Sequence, residues 1–183
     1  MNFYRLTSIF AVLALTSFVS PQSNEKEKLQ WNEDRKLTWA DFKGEPKGWE
    51  DYVASTNSGI SFSYSYRVVD GELDLTYTIK TNFYPNLSWF VPNHVDDYIL
   101  RHEQAHFDVS ELHARKLRKR LSETRFSLYP KTEIENIYRY IEEERQAMQE
   151  QFDLESDHSK IKSGEKKWEA FISEELARYA QWK

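Results

Sequence analysis

The clearest pattern along the chain is an alternation of apolar and polar residues from Gly59 to Val68. Isoleucine, phenylalanine and tyrosine take every second position, and serines and one arginine lie between them. This period of two predicts a strand with one buried face. Asp70-Gly71 then predicts a tight two-residue turn, and the alternation resumes at Leu73 and runs to about Tyr84. The segment is therefore expected to form an antiparallel hairpin.

Two further elements are predicted on either side of this hairpin. The stretch Lys36–Trp39 is typical of a short strand that a turn follows. After the hairpin the apolar residues recur every three to four positions, which predicts a helix of about thirty residues. Asn93 and Asp96 are interpreted as the N-cap of that helix and its capping-box partner.

The C-terminal part repeats the helical pattern twice. Thr132 and Glu135 predict a second capping box, which opens an amphipathic helix that reaches Phe152. A third helix is predicted from about Ser163 to Tyr179, and the residues between these two helices form a polar connection. A sheet followed by helices indicates the α+β class, with a small antiparallel sheet in the N-terminal half packed on a helical C-terminal half.

The chain length of 183 residues suits one domain with a substantial core. Near the N-terminus an apolar run from Ile9 to Val19 is short for a membrane span and is followed at once by polar, charged residues. We interpret residues 1–22 as a signal peptide and residues 23–183 as a single exported domain, periplasmic or extracellular, with no stable membrane span after leader removal. A retained N-terminal anchor is the alternative.

Charge and cysteine content narrow the chemistry. With 25 Lys and Arg against 30 Asp and Glu, the net charge is −5, so the chain lacks the excess of positive charge that binds nucleic acid. The basic run Arg115 to Arg120 fits a solvated helix end, where cations complement the helix dipole. Because the chain has no cysteine, any zinc site must use His, Asp or Glu, the set found in catalytic sites.

Such a site is indicated by His102-Glu103-Gln104-Ala105-His106 in the long helix. Four residues make just over one turn, so both imidazoles leave the same face about 6 Å apart and can hold one Zn²⁺. Glu103 lies beside the metal, where a carboxylate can act as general base toward a water molecule. The pattern is that of the HExxH zincin-like metallopeptidases.

A catalytic zinc ion usually has three protein ligands, so a third is expected. His158 is the preferred candidate, because the second helix can run back antiparallel and bring the polar connection to the metal. Asp153 and Glu155 in the same connection could ligate instead, or hold a ligating imidazole by its second nitrogen. Glu144 is a further candidate, with a surface salt bridge as its alternative role.

His113 is excluded as a ligand by its distance, about 10 Å along the axis beyond His106. The stretch Phe107 to Leu112 has no glycine at which the chain could turn, so the metzincin arrangement is excluded too. Asp108 is expected either to orient a ligand or to lie on the helix surface. As donors to the oxyanion we consider three tyrosines: Tyr98, Tyr138 and Tyr140.

These elements resemble the bacterial domain-of-unknown-function family 922, described as predicted secreted zinc-dependent proteases. Leu37–Gly44 is similar to the family's opening Trp-x-Asp-Phe-x-Gly element, and Ser88-Trp89 stands at the expected place before the helix. His102–Asp108 resembles its His-Glu-Gln-x-His-Phe-Asp core. Phe152–Ser159 is similar to its Tyr-Asp-x-Glu-Thr-x-His-Gly element, with departures at three positions: Phe152, Ser156 and Ser159.

The functional prediction is a secreted zinc-dependent metallopeptidase, in which His102, His106 and His158 hold the metal and Glu103 is catalytic. Its partner would be a peptide or protein substrate, paired with an edge of the hairpin sheet, or the peptide of a cell wall. The alternative is a non-catalytic secreted or periplasmic module in which the zinc site is stabilising or degenerate.

Overall fold

A computed structural model describes residues 27–47 and 52–183, so the predicted signal peptide lies outside the described residues. Strands and helices follow one another as the pattern predicts, and the fold is α+β: an antiparallel hairpin packs on three C-terminal helices. The elements are β1 (Leu29–Gln30), β2 (Ala54–Ser55), β3 (Ser58–Val69), β4 (Glu72–Phe83), β5 (Trp89–Phe90), α1 (Asp97–Glu123), α2 (Lys131–Ser156) and α3 (Lys162–Arg178).

The hairpin of β3 and β4 is the main sheet. Its two strands pair in antiparallel register from Val69 opposite Glu72 to Ser58 opposite Phe83. Asp70 and Gly71 both have positive φ, 52° and 83°, as the turn of a tightly connected hairpin requires. β1 adds to the outer side of β4, while β2 and β5 pair separately. The hairpin predicted from the alternation is confirmed.

Three details of the sequence interpretation are wrong at element ends. Lys36–Trp39 is not a strand, because Asp41 accepts hydrogen bonds from the backbone and hydroxyl of Thr38 and closes a 3₁₀ turn over Trp39–Asp41. The N-cap of α1 is Asp96, which accepts from the Ile99 amide at 2.9 Å, and not Asn93. α2 follows Pro130 without a side-chain cap, so Thr132 and Glu135 form no capping box there.

α1 lies at the centre of the molecule. Ala114, Leu117 and Leu121 of α1 pack against the hairpin and α2, and Ala105 and Val109 pack against Trp168 and Ile172 of α3. A third cluster joins Phe107 to aromatic residues of β4 and the N-terminal segment. With partners on several sides, α1 holds residues in its middle turns at fixed positions. Among the residues that the structure describes, none of the helices combines the length and the hydropathy of a membrane span.

The turn between α2 and α3 brings the two helix ends into close contact. A Cβ atom added to Gly164, in the first turn of α3, would lie 2.2 Å from the carbonyl oxygen of Glu155. We expect Gly164→Ala to lower the free energy of unfolding by about 1–3 kcal/mol, because the helices must separate. Urea denaturation measures this loss. Gly59→Ala is the matched control, since nothing lies within 4 Å of its added Cβ; equal losses in both variants would contradict the steric argument.

Candidate metal centre

Two imidazoles from consecutive turns of α1 form the first half of the site. The four-residue spacing places the Nε2 atoms of His102 and His106 3.1 Å apart. Both rings pack on Phe152 of α2, with ring centroids at 4.5 and 5.0 Å. This apolar contact fixes the orientation of the rings and excludes water from one side of them.

The third atom of the group comes from α2. Oδ1 of Asp153 lies 3.0 Å from Nε2 of His106 and 3.3 Å from Nε2 of His102. Three ligand-type atoms thus lie at the corners of a nearly equilateral triangle. Zinc bonds of about 2.0–2.2 Å at tetrahedral angles would separate such atoms by about 3.3 Å. His102, His106 and Asp153 therefore form a group that could hold a metal ion.

Hydrogen bonds at the far side of each ring fix the tautomers. Nδ1 of His102 lies 2.9 Å from Oε2 of Glu165, and Nδ1 of His106 contacts Oε1 of Gln149. Gln149 is oriented by its amide, which donates to the backbone carbonyl of His106 at 2.9 Å. Since both partners are acceptors, both Nδ1 atoms carry the hydrogen. In the neutral rings both Nε2 lone pairs then face the carboxylate, which is the arrangement that a cation satisfies.

The charges of the group show the same preference for a cation. Burial opposes the charged form of His102, but hydrogen bonds with Asp153 and Glu165 outweigh burial and raise the pKa of His102 to about 9. Burial would raise the pKa of Asp153, yet hydrogen bonds with His102 and His106 hold that pKa well below its usual range. A metal ion would therefore compete with a proton for these atoms.

Glu103 lies beside this group on α1. Its side chain is buried, with 4% of its surface exposed, and its Oε2 has no hydrogen-bond partner in the described part of the chain. A buried carboxylate oxygen without a partner costs stability, and a role toward a bound ion or in a reaction is one physical reason for keeping it. Thr56 donates to the backbone carbonyl of Glu103 at 3.1 Å, which ties the segment before β3 to this turn of α1.

The group opens into a cavity of about 690 Å³. His102, Glu103 and His106 of α1 lie on one side, and Asp153 belongs to the α2 side. Residues 52–58 also line the cavity, and Thr56 and Ser58 within this segment donate to backbone carbonyls of α1. A space of this size accommodates a ligand much larger than water.

His158, the predicted third ligand, lies at the edge of the group. Its Nδ1 is 3.5 Å from Oδ1 of Asp153, its ring contacts Tyr52, and it lines the cavity. Asp157, His158 and Ser159 all have positive φ, a strained run for non-glycine residues and one that a glycine at position 159 would relieve. The assignment of His158 as a metal ligand stays a prediction; the mutually close donors are those of the other three residues.

The other candidate ligands lie elsewhere. Glu144 pairs with Arg120 on the surface at 3.0 Å. Glu155 accepts from the indole of Trp168 at 2.8 Å. His113 is fully buried two turns beyond His106, and its Nδ1 donates to the carbonyl of Val109. Burial lowers the pKa of His113 to about 4, as for a neutral core histidine.

The remaining predicted residues make structural contacts. Asp108 accepts from the Trp31 indole at 2.6 Å and from the Gln104 amide at 2.8 Å, which fastens the N-terminal segment to α1. This is neither a contact with a ligand nor a free surface position. The hydroxyl of Tyr98 donates to Ser159, that of Tyr138 donates to Ile60, and Tyr140 is half exposed. Tyr52 lines the cavity instead.

Sequence reasoning missed Gln149 and Glu165. Gln149 precedes Asp153 by four residues, so both lie on one face of α2. This spacing could have predicted that Gln149 lies near the site. Glu165 lies in the first turn of α3 with 1% of its surface exposed. In the sequence nothing distinguishes Glu165 from the other charged residues of this helix. Only the packing of α3 on α1 brings it to His102.

A family model described as a bacterial protein of unknown function (DUF922) matches residues 34–159. The match contains the hairpin, α1 and α2 with their group of His102, His106 and Asp153, and the turn with His158. Glu165 lies beyond it. No curated protein and no solved structure matches the chain.

Proposed function

This chain belongs to the bacterial family of unknown function DUF922, and we propose that it is a zinc-dependent hydrolase that cleaves peptide bonds. The observation that carries the proposal is the convergence of two imidazole lone pairs and a carboxylate beside the buried Glu103. Each part has a separate use in hydrolysis, and all of them face one cavity.

Zinc is the metal that we propose for this donor set. Two neutral imidazoles and one carboxylate are the combination of several catalytic zinc sites, which keep a fourth position free. Ions such as Mg²⁺ and Ca²⁺ prefer all-oxygen sites, so the two histidines disfavour them. The hydrogen bonds that the Nδ1 atoms donate to Glu165 and Gln149 would orient the imidazoles, as in other zinc proteins.

The residues divide the chemical work. His102, His106 and Asp153 would hold the ion. When bound, zinc would supply a Lewis acid that polarises a carbonyl and lowers the pKa of water toward about 7. Glu103 would accept a proton from the attacking water on its carboxylate and deliver it to the nitrogen of the leaving amine. Phe152 keeps the buried side of the imidazoles dry.

The substrate proposal rests on the shape of the cavity. The wall formed by residues 52–58 contains β2, which pairs with β5 along one edge and has no strand along its other edge among the described residues. An extended peptide that lies along this wall could form backbone hydrogen bonds and pass over Glu103. An exported protein, as the first 22 residues predict, would meet such peptides outside the cytoplasm.

One observation favours a second candidate, a stabilising metal site. The group joins α1 to α2 through Asp153, and Glu165 extends it to α3. A zinc ion there would tie all three helices together, as structural zinc does in other proteins. If the metal site is only stabilising, Glu103 would have no catalytic role.

The test of the proposal is metal analysis joined to a peptide assay. Purified protein should contain one zinc ion per chain by elemental analysis, lose it to a chelator, and regain it. Zinc-loaded protein should cleave members of a peptide mixture, followed by mass spectrometry, and the chelated protein should not. Protein that binds no zinc would overturn the proposal. Bound zinc without cleavage would favour the stabilising site.

We predict that Glu165→Gln lowers zinc affinity by about 10–100-fold, the usual effect of losing the charged partner of a ligating imidazole. The amide still fills the buried space, so folding is retained, but it cannot match the carboxylate as an acceptor for Nδ1 of His102. Competition with a chromogenic chelator measures the affinity. Glu174→Gln, at an exposed position of the same helix, should leave it unchanged. Equal affinities in the two variants would rule out this role for Glu165.

A further inference from the structure

One face of α2 forms a continuous side of the cavity. Arg145, Gln149 and Asp153 follow one another at intervals of four residues, and all three line the cavity. Asp153 belongs to the candidate metal centre and Gln149 holds His106. Arg145 lies two helical turns, about 12 Å, from Asp153 along this face and has no part in the centre.

The charges that line the cavity differ from those of the whole molecule. The chain has a net charge of −5, yet Glu103 and Asp153 are the only carboxylates that line the cavity within the described residues. Both lie at the candidate metal centre, where they would balance a divalent cation. The remaining fixed charges of the lining are cationic, Arg145 on α2 and Lys160. Each of them pairs with a carboxylate that does not line the cavity, Glu142 and Asp157 respectively.

Neighbouring residues accept only some of the hydrogen bonds that the guanidinium of Arg145 can donate. Its Nε and Nη2 atoms donate to the carboxylate of Glu142, at 3.1 and 2.9 Å to Oε2. Nη1 makes no hydrogen bond to any described residue. The side chain is 12% exposed and its pair with Glu142 holds the guanidinium in place, so Nη1 keeps its donors. A planar guanidinium in this state recognises a carboxylate well.

We infer that the cavity takes peptides that carry a carboxylate near the bond to be cleaved, and that Arg145 recognises this group. The inference rests on the proposed function and adds a substrate class to it. In an extended peptide two residues span about 6.6 Å, so a Glu side chain a few residues from the metal reaches the position of Arg145. The same chemistry could come from a free C-terminal carboxylate.

Binding to zinc-loaded Glu103→Gln protein tests the inference without turnover. The probes are fluorescent nine-residue peptides with blocked ends, in pairs that differ by Glu or Gln at one position. A third set has Gln throughout and a free C-terminus, which separates the two carboxylate sources. We expect the Glu peptide to bind about tenfold more tightly at one or two neighbouring positions, as one charge-assisted hydrogen bond provides.

Variants of α2 assign the preference to Arg145. Arg145→Gln should abolish it, whereas Arg139→Gln should not, because Arg139 forms a comparable pair with Glu143 on the exposed surface. Glu142→Gln breaks the same pair but keeps the arginine, so the preference should persist or grow. A merely structural pair would respond alike to Arg145→Gln and Glu142→Gln. Should Arg145→Gln fail to fold, Arg145→Lys replaces it, with at least a severalfold loss expected.

The results separate the inference from the proposed function. A preference that survives in the Arg145 variants, or that is absent in Glu103→Gln protein, overturns the inference. Cleavage of the same peptides by wild-type protein is scored independently. Cleavage without a preference for Glu would contradict the inference about Arg145 alone. A preference that depends on Arg145, without any cleavage, would contradict the proposed hydrolase function and leave carboxylate recognition in place.

Discussion

Glu103→Gln protein is expected to bind zinc as the wild type does and to lose about 10²–10⁴-fold in kcat on any peptide that the wild type cleaves. The amide has nearly the shape of the carboxylate but cannot take a proton from water. Because Glu103 is beside the metal group and not in it, the ligand atoms stay where they are. Elemental analysis and steady-state peptide cleavage, measured on the same preparation, test both halves of this expectation.

The matched control is Glu123→Gln, at an exposed position near the end of α1. It changes the same charge on the same helix and should leave both zinc content and turnover unaltered. Full turnover in Glu103→Gln protein would contradict the role of general base. Loss of zinc from that variant would indicate instead that Glu103 stabilises the centre, and the assignment of the site would have to change.

Local patterns accounted for most of the fold because each element depends on its own residues. Alternation and Asp70-Gly71 specify the hairpin, whose strands need no distant partner to set their register. Helix starts were less predictable. Asp96 and Asn93 are both good caps, and only the backbone path decides that Asp96 accepts from Ile99. Asp41 likewise closes a turn where β-type residues favoured a strand.

The candidate site was predictable as far as it lies within one helix. His102, Glu103 and His106 are placed by helix geometry alone, so their spacing sufficed. Asp153 was only one of several candidates, because the choice depends on where α2 ends: the helix continues to Ser156 and carries Asp153 on its inner face. Glu165 depends on the packing of a third helix, which no local pattern encodes.

The sequence pattern and the geometry differ most in the identity of the third metal ligand. We expect Asp153→Ala to weaken zinc binding by at least about 100-fold, more than the loss of an outer hydrogen-bond partner, which costs 10–100-fold. The reason is the position of Oδ1, 3.0 and 3.3 Å from the two Nε2 atoms. Zinc affinity is measured by chelator competition, after circular dichroism has verified that the variant is folded.

His158→Ala is the decisive comparison, since His158 is the ligand that the sequence pattern favours. Its Nδ1 approaches Asp153 at 3.5 Å, so an outer role predicts a loss of about tenfold to 100-fold, smaller than that of Asp153→Ala. Asp157→Asn, in the same turn and exposed, should have no effect. A larger loss in His158→Ala would make three histidines the ligands and leave Asp153 as the hydrogen-bond partner of His158. The distinction matters chemically, because an anionic third ligand reduces the positive charge of the centre and therefore its power to acidify water.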